Sequence, residues 1–381
     1  MKNHYLIMIL LLLFPLSEQI YSQDIAFNGQ AINWVTVNPG SPFQTMGGLR
    51  YIPKLTFSQP LGEKLSVDGE FSANLWGSLL YTANDTLSGD YDLSPYRAWI
   101  KLSGEQFELR AGLQKINFGS SLMLRPLMWF DRLDPRDPLQ LTDGVYGLLG
   151  RYYFSNNANI WLWGLYGNHE TKGWEIYQTA KKNIEFGGRV QVPLFTGELA
   201  LTCHHRMADP SNVLPDSVFG GNPLPEDRIA IDGKFDFIAG LWFETTISRI
   251  DLPYSDNDYT TMLNLGADYT FNLGSGLNLT SEFFSYMTGK SPYNGDAVKL
   301  NFGGISLSYP ISIIHNISAI IFYDFTNKAF YRFLNWGITY DKWSFYVMGF
   351  WNPENYMLYN FDNNINLFGG WGFQLMTVFN H

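Results

Sequence analysis

The chain has 381 residues, a formal net charge of −10, 17% aromatic residues and only 16% charged residues. The acidic balance argues against a nucleic-acid partner, and the single cysteine excludes an internal disulfide framework. So few charges are unusual for a soluble domain, whereas an aromatic-rich, glycine-rich chain is typical of a transmembrane β-barrel.

Residues 1–22 are predicted to be a cleaved signal peptide. Lys2 precedes an apolar run from Leu6 to Leu16, and a short segment ending at Ser22 completes the pattern. This run is too short for a transmembrane helix, which needs about 20 apolar residues. We expect an exported chain in which any membrane span consists of strands.

Segments of alternating apolar and polar residues follow one another through the rest of the chain. In the clearest one, 64–80, Leu65 and Phe71 lie on one face and Asp68 and Glu70 on the other. The sequence predicts an all-β fold, a transmembrane antiparallel up-and-down β-barrel of about 18 strands. A large soluble β-sandwich is the alternative, although its surface would usually carry more charge. The predicted strands are 24–37, 48–58, 64–80, 95–103, 106–117, 143–155, 158–168, 182–194, 197–208, 227–237, 240–251, 259–272, 276–287, 297–309, 316–326, 330–341, 343–352 and 365–379.

The connections between these strands alternate between short and long. Short periplasmic turns on one side and long extracellular loops on the other are typical of an outer-membrane barrel. An even strand number places both termini on the short-turn side. No linker divides residues 23–381, so we expect a single domain. The predicted long loops are 38–47, 83–94, 118–142, 169–181, 209–226, 288–296 and 353–364.

Residues 118–142 form the longest predicted loop, and their charges stand beside prolines. A long, stiff, charged loop between two barrel strands predicts a constriction or plug folded into the lumen. The alternative is that its charges pair among themselves and its prolines stiffen an external lid. The candidate constriction residues are Arg125, Asp131, Arg132, Asp134, Arg136 and Asp137.

The polar faces of the strands are predicted to line the lumen, because an exposed charge in lipid costs about 2–4 kcal/mol at the bilayer midplane. Rings of charge set pore selectivity, and arginine favours carboxylates and phosphates. The alternative is a set of ion pairs that cross the lumen without selecting solutes. The candidate pore-lining residues are Arg50, Lys54, Arg97, Lys101, Glu108, Arg110, Arg151, Arg189, Arg206 and Arg228.

Cys203-His204-His205 has the residue types of a metal site, but adjacent strand residues point in opposite directions. We therefore predict that His204 faces the lumen, that Cys203 and His205 face lipid, and that the chain binds no metal or other cofactor. No common hydrolase motif is present, and we expect no enzymatic activity. A barrel hydrolase, with serine and histidine on the outer face, remains an alternative.

Three short segments carry a family resemblance. They are, in chain order, Leu109-Arg110-Ala111-Gly112-Leu113-Gln114, Asn117-Phe118-Gly119 and Asp134-Pro135-Arg136-Asp137-Pro138. Together these segments resemble the alginate-export type of outer-membrane porin. The resemblance implies an 18-strand barrel with a pore for anionic sugar polymers or other small solutes.

These observations predict a channel in the bacterial outer membrane for passive diffusion or export of small or anionic solutes, and the resemblance implies sugar polymers among these solutes. The expected partners are outer-membrane lipids and those solutes. Barrel-assembly machinery is a further expected partner, because the final strand ends in an aromatic stripe near Phe379. A closed barrel that anchors surface polysaccharide or capsule is the main alternative.

Overall fold

The computed structural model describes residues 24–83, 87–253, 255–354 and 367–381, so the predicted signal peptide, 1–22, lies outside the described residues. Within these ranges, nineteen strands form one sheet in which every pairing is antiparallel. The strands are β1 (Asp24–Asn38), β2 (Gln44–Pro60), β3 (Ser66–Thr82), β4 (Ser88–Ser103), β5 (Phe107–Gln114), β6 (Val145–Tyr153), β7 (Asn159–Tyr166), β8 (Gln178–Thr179), β9 (Ile184–Leu194), β10 (Gly197–Asp209), β11 (Leu224–Asp236), β12 (Gly240–Ile250), β13 (Tyr259–Phe271), β14 (Leu277–Gly289), β15 (Val298–Pro310), β16 (His315–Asp324), β17 (Ala329–Tyr340), β18 (Trp343–Trp351) and β19 (Trp371–Asn380).

The sheet closes on itself because β1 pairs with both β2 and β19. Every strand except β8 is paired on both sides, which removes the exposed edges that an open sheet would present. β8 is a two-residue strand that pairs with the end of β10 and lies inside a longer connection. The remaining 18 strands form the wall, and this confirms the predicted closed barrel and its strand count.

Side chains alternate between the outer surface and the interior along each strand, as a period of two requires. On β10, Thr202 and His204 are buried while Leu201 and Cys203 are exposed. The outer surface is strongly apolar: Leu49 is 67% exposed, and Leu162 is 64% exposed. The polar faces of the strands therefore point inward.

All the predicted strands are present, but their bounds differ from the prediction. The predictions 106–117, 143–155, 158–168 and 365–379 were too long, because residues 115–117 belong to the following loop and residues 367–370 form a turn, and other strands extend further than their apolar pattern. The prediction of a loop over 83–94 was wrong for residues 88–94, because β4 begins at Ser88 and pairs with Leu80 of β3. β2 likewise begins at Gln44. In β2 and β4, backbone pairing with a neighbouring strand continues past the apolar band, so apolar periodicity underestimates the length of these two strands.

From β4 to β16, short and long connections alternate, as predicted. The predicted long loops 38–47 and 83–94 were wrong in length, since only residues 39–43 and 83–87 separate the strands there, and most of the predicted loop 353–364 lies outside the described residues. Residues 195–196 and 341–342 are tight turns, whereas residues 115–144 and 167–183 are long loops. Gln30 pairs with Asn380, so both ends of the described chain lie on the short-turn side. A 3-10 turn (Pro210–Asn212) and a short helix, α1 (Asp216–Phe219), lie in one long loop. Among the described residues, no helix is both long and apolar enough to cross a membrane.

Candidate functional site

The connection between β5 and β6, residues 115–144, folds into the barrel, and we call it the interior loop. Its apolar side chains Ile116, Phe118, Leu127 and Trp129 are almost fully buried. A loop exposed at the barrel surface would leave such side chains in water. The structure therefore places the interior loop against the inward face of the wall.

The first contact of the interior loop is an aromatic cluster against β7. The ring of Phe118 lies 5.8 Å from the ring of Phe130 and 5.8 Å from that of Trp163 on β7, measured between centroids. Trp129 lies 6.1 Å from Phe118 in an edge-on arrangement. Aromatic pairs at these separations add about 0.5–1.5 kcal/mol each beyond burial.

The second contact is an apolar cluster further round the barrel. Met123 and Leu124 of the interior loop pack among Phe284 on β14, Phe302 on β15 and Phe322 on β16, all of them buried. The two clusters lie on distant strands of the sheet. The interior loop therefore crosses the lumen and is attached to the wall on both sides.

A carboxylate on the wall binds the backbone of the interior loop between these clusters. Glu282 on β14 accepts hydrogen bonds from the backbone N–H of Leu122 at 2.6 Å and of Leu124 at 2.7 Å. The N–H of Met123 donates to both carboxylate oxygens, at 3.2 and 3.1 Å. Asn264 on β13 donates to Glu282 and to the Leu124 carbonyl oxygen. The buried charge is thus satisfied by charge-assisted hydrogen bonds that fix residues 122–124.

A second carboxylate fixes the preceding residues. Glu244 on β12 is fully buried, and its Oε1 accepts the backbone N–H of Ser121 at 2.7 Å. Gly119 has a positive φ of 94°, and a Cβ at this position would collide with the Glu244 carboxylate. Glycine is required here for backbone conformation and for close approach of the backbone to the wall.

Two pairs of predicted constriction residues interact with each other. Arg125 and Asp131 are buried, with 3.5 Å between Nη1 and Oδ2. Burial raises the pKa of Asp131, and the charge of Arg125 opposes that increase. Arg136 donates from Nε and Nη2 to Asp134, at 2.8 and 2.5 Å. These contacts favour the alternative in which the charges pair among themselves, although the side chains lie inside the barrel and not in an external lid.

The other two predicted constriction residues, Asp137 and Arg132, bind the interior loop and the connection 167–183. The carboxylate of Asp137 accepts the backbone N–H groups of Leu139 at 2.9 Å and Leu141 at 3.1 Å, and burial raises its pKa. Arg132 donates to Thr171 in the connection 167–183. A role for these charges in narrowing or polarising an opening stays a proposal.

Two of the predicted pore-lining arginines hold the connection 167–183 against the wall. Arg206 lies 2.7 Å from Glu226 and 3.2 Å from Glu175 of that connection. Arg228 lies 2.7 Å from Glu226 and 2.8 Å from Glu175. All four side chains are buried or nearly so. The two arginines therefore neutralise two carboxylates instead of presenting free positive charge.

Arg189 is engaged in the same way, through two hydrogen bonds to Asp232 at 2.6 and 2.8 Å. His204 faces the interior, where its Nε2 lies 3.5 Å from Glu185 and its Nδ1 accepts from Trp163. Both side chains contact the interior loop, Arg189 at 5.1 Å from the Phe118 ring and His204 at 5.1 Å from the Phe130 ring.

A more open network lies near the short-turn end of β3–β6. Glu108 lies 3.2 Å from Arg151 and 3.4 Å from Arg110, and Lys101 lies 3.2 Å from Asp68. These side chains keep between 17% and 25% of their surface exposed although they face inward. The interior is therefore accessible to water at this level.

The three remaining predicted pore-lining residues lie on β2 and β4. Arg97 is buried and donates to the Thr142 carbonyl oxygen of the interior loop at 2.7 Å. Arg50 lies over the Trp34 ring at 5.9 Å, and Lys54 lies on the inward face of β2. The structure thus brings together Arg206 with Arg228, and separately Lys101, Glu108, Arg110 and Arg151, while Arg50, Lys54, Arg97 and Arg189 are dispersed.

Several carboxylates that organise the interior were not among the predicted site residues. Glu226 and Glu244 lie at inward positions of β11 and β12, so strand alternation was a signal that could have found them. The position of Glu282 follows from alternation too, but its role in binding the interior loop does not. Glu175 lies in a loop, where the sequence carries no period that indicates its partner.

On the outer face, Cys203 is exposed and His205 lies beside it at the next outward position, as alternation predicted. Nδ1 of His205 lies 2.7 Å from Asp227 on β11. In the part of the chain that the structure describes, no group of three or more histidine, cysteine, aspartate or glutamate residues could hold a metal ion.

No protein-family model and no curated protein matches the sequence. Solved structures do match. One is OccK7 (OpdD) of Pseudomonas aeruginosa, at 9% identity, with 95% of this chain and 99% of that chain covered and a TM-score of 0.55. Another is the trimer form of OmpT, an outer membrane protein of Vibrio cholerae, at 8% identity, with 95% and 100% coverage and a TM-score of 0.51. The likeness shows a porin-type barrel fold, and none of these matches confirms the resemblance to alginate-export porins.

Proposed function

We propose that the chain is a bacterial outer-membrane channel through which small solutes diffuse passively. The observation that carries the proposal is the polarity of the closed barrel, which is apolar outside and charged inside. Leu49 and Leu162 are exposed on the outer face, whereas Lys101 and Asp68 meet inside with water access. A soluble protein would not expose so much apolar surface, and a lipid environment satisfies it.

The interior loop makes the channel narrow. It is attached to β7 by its aromatic cluster and to β12 and β14 by carboxylates, so it occupies part of the lumen. Diffusion through the remaining space needs no energy source other than the solute gradient. The long connections lie at the end of the barrel opposite the short turns, and this end would face the cell exterior.

The resemblance to alginate-export porins suggests anionic sugar polymers as the solute, but the interior supports this extension weakly. Arg189, Arg206 and Arg228 are each neutralised by buried carboxylates, so they present no free row of positive charge. A polymer would also require displacement of the interior loop. We therefore favour small solutes as the cargo.

Surface-polysaccharide anchoring is the competing role, and it requires no conducting lumen. The hydrolase alternative needs a serine hydroxyl beside an outward histidine. In the described residues, His205 contacts the Asp227 carboxylate and the Phe186 ring, and His381 contacts the phenol of Tyr51, so neither histidine has a serine partner. Conductance distinguishes the channel from the anchor, because only the channel requires a conducting lumen.

The test is single-channel recording of the full-length protein in a planar bilayer with a salt gradient. We expect discrete open steps, with larger conductance after deletion of residues 120–140, because the deleted segment occupies the lumen. The reversal potential in the same gradient reports ion selectivity. Absence of conductance in both proteins, with each shown to be folded, would overturn the channel and favour anchoring.

A further inference from the structure

The interior loop leaves two adjoining cavities on one side of the barrel, against β14–β19. The larger, about 510 Å³, lies beside residues 117–125 of the loop and the hydroxyl groups of Thr280 and Ser306. The smaller, about 290 Å³, lies beside residues 134–140. Pro135, Gln140 and Ile320 line both cavities, so the two are neighbours. Their volumes are of the order of small-molecule sites, about 300–1,000 Å³.

The wall of the smaller cavity carries neutral polar groups. Ser318 on β16, Asn335 on β17 and Gln374 on β19 contribute a hydroxyl and two amides. The Oδ1 of Asn335 has no hydrogen-bond partner among the described residues. Each amide both donates and accepts, which matches hydroxyl groups that do the same.

The loop side of the smaller cavity adds little net charge. Arg136 is paired with Asp134, and its guanidinium lies 5.3 Å from the Phe333 ring and 5.1 Å from the Phe368 ring. The carboxylate of Asp137 is held by two backbone N–H groups. Most of the other lining side chains are apolar. An anion would therefore lose hydration without gaining an opposite charge, and a cation would meet only the Asp137 carboxylate, whose charge the two backbone N–H groups already stabilise.

The predicted arginine row lies elsewhere. Arg189, Arg206 and Arg228 are on β9–β11, and none of them lines either of these cavities. We propose that the permeating solutes are uncharged molecules rich in hydroxyl groups, of small-sugar size, and that they cross beside β14–β19 in contact with Ser318, Asn335 and Gln374. This inference rests on the proposed channel function and names its solute class.

The experiment uses the full-length protein in bilayers and in liposomes. Liposome swelling compares glucose with glucuronate and glucosamine, which have the same ring and different charge. Sugar-induced block of the ion current gives the half-blocking glucose concentration for the wild type and for Asn335→Leu and Gln374→Leu. The matched control is Asn74→Leu on β3, an inward amide that lines neither cavity.

We expect glucose to enter faster than both charged analogues. Each cavity variant should raise the half-blocking concentration about fivefold, the factor for one lost hydrogen bond of about 1 kcal/mol. The control variant should match the wild type. Faster entry of either charged analogue, or an equal effect of all three variants, would overturn the inference while leaving the channel intact. A folded protein with no ion current would instead overturn the proposed function.

Discussion

The attachment of the interior loop to Glu282 gives the sharpest prediction, through the nearly isosteric change Glu282→Gln. The carboxylate accepts the N–H groups of Leu122 and Leu124 on different oxygens, at 2.6 and 2.7 Å. A glutamine side chain has only one acceptor oxygen, so its NH₂ group must face one of these backbone N–H groups. One charge-assisted hydrogen bond is lost and one buried donor is left unsatisfied.

The free-energy cost is the sum of the lost hydrogen bond and the unsatisfied donor. A hydrogen bond to a charged group contributes about 1.5–3 kcal/mol, and an unsatisfied buried donor costs about 1–3 kcal/mol. We expect the Glu282→Gln substitution to destabilise the bound position of residues 121–124 by about 2.5–6 kcal/mol. Trp129 and Phe130 should still hold the following segment, because their aromatic cluster is untouched.

Glu244→Gln is the matched control. Only Oε1 of Glu244 binds the interior loop, through the Ser121 N–H, while Oε2 has no hydrogen-bond partner among the described residues. A glutamine can keep the bond to Ser121 with its own oxygen. The two substitutions make the same chemical change on the same inner surface, and we expect a much smaller effect from this one.

The assay is thiol labelling at Ser121→Cys, a buried position, with Cys203→Ser removing the single native cysteine. A water-soluble maleimide reacts only when the segment leaves the wall. We expect labelling to accelerate at least tenfold in Glu282→Gln, since about 1.4 kcal/mol already gives that factor. Equal labelling rates in Glu282→Gln, Glu244→Gln and the parent would refute the reasoning that Glu282 holds the loop.

Three further predictions concern buried charge and sidedness. Arg228→Met leaves Glu175 and Glu226 short of a partner and should cost about 3–5 kcal/mol, seen as a lower temperature at which the folded band disappears on gels; an unchanged temperature would contradict this. Burial raises the pKa of Asp131, so the contribution of this residue to stability should fall as pH rises from the ordinary pKa of about 4 through the raised pKa. Denaturant unfolding in detergent should show this decrease of the free energy of unfolding with pH in the wild type and not in Asp131→Asn. The same pH dependence in both proteins would argue against it. In liposomes, Cys203 should react with a bilayer-soluble maleimide and resist a charged thiol reagent, and the reverse order would place it away from lipid.

The sequence predicted the barrel, because strands with one apolar and one polar face, in a chain with few charges, can turn their apolar faces to lipid and their polar faces to a hydrated lumen. Leu65 and Asp68 on β3 show how alternation assigns each side chain to lipid or lumen without any knowledge of its neighbours. The same rule placed His204 inside and Cys203 outside. Strand ends were less certain, since the pairing of Ser88 with Leu80 depends on the neighbouring strand and not on a period.

Only the tertiary structure decided what the interior charges do. Alternation sends Arg206 and Arg228 inward, but their neutralisation by Glu175 depends on where a distant, aperiodic loop folds. The same holds for Glu282, whose partners Leu122 and Leu124 are about 160 residues away in the chain. Local patterns fix the direction of a side chain, whereas the contacts across a lumen depend on the closure of the whole barrel.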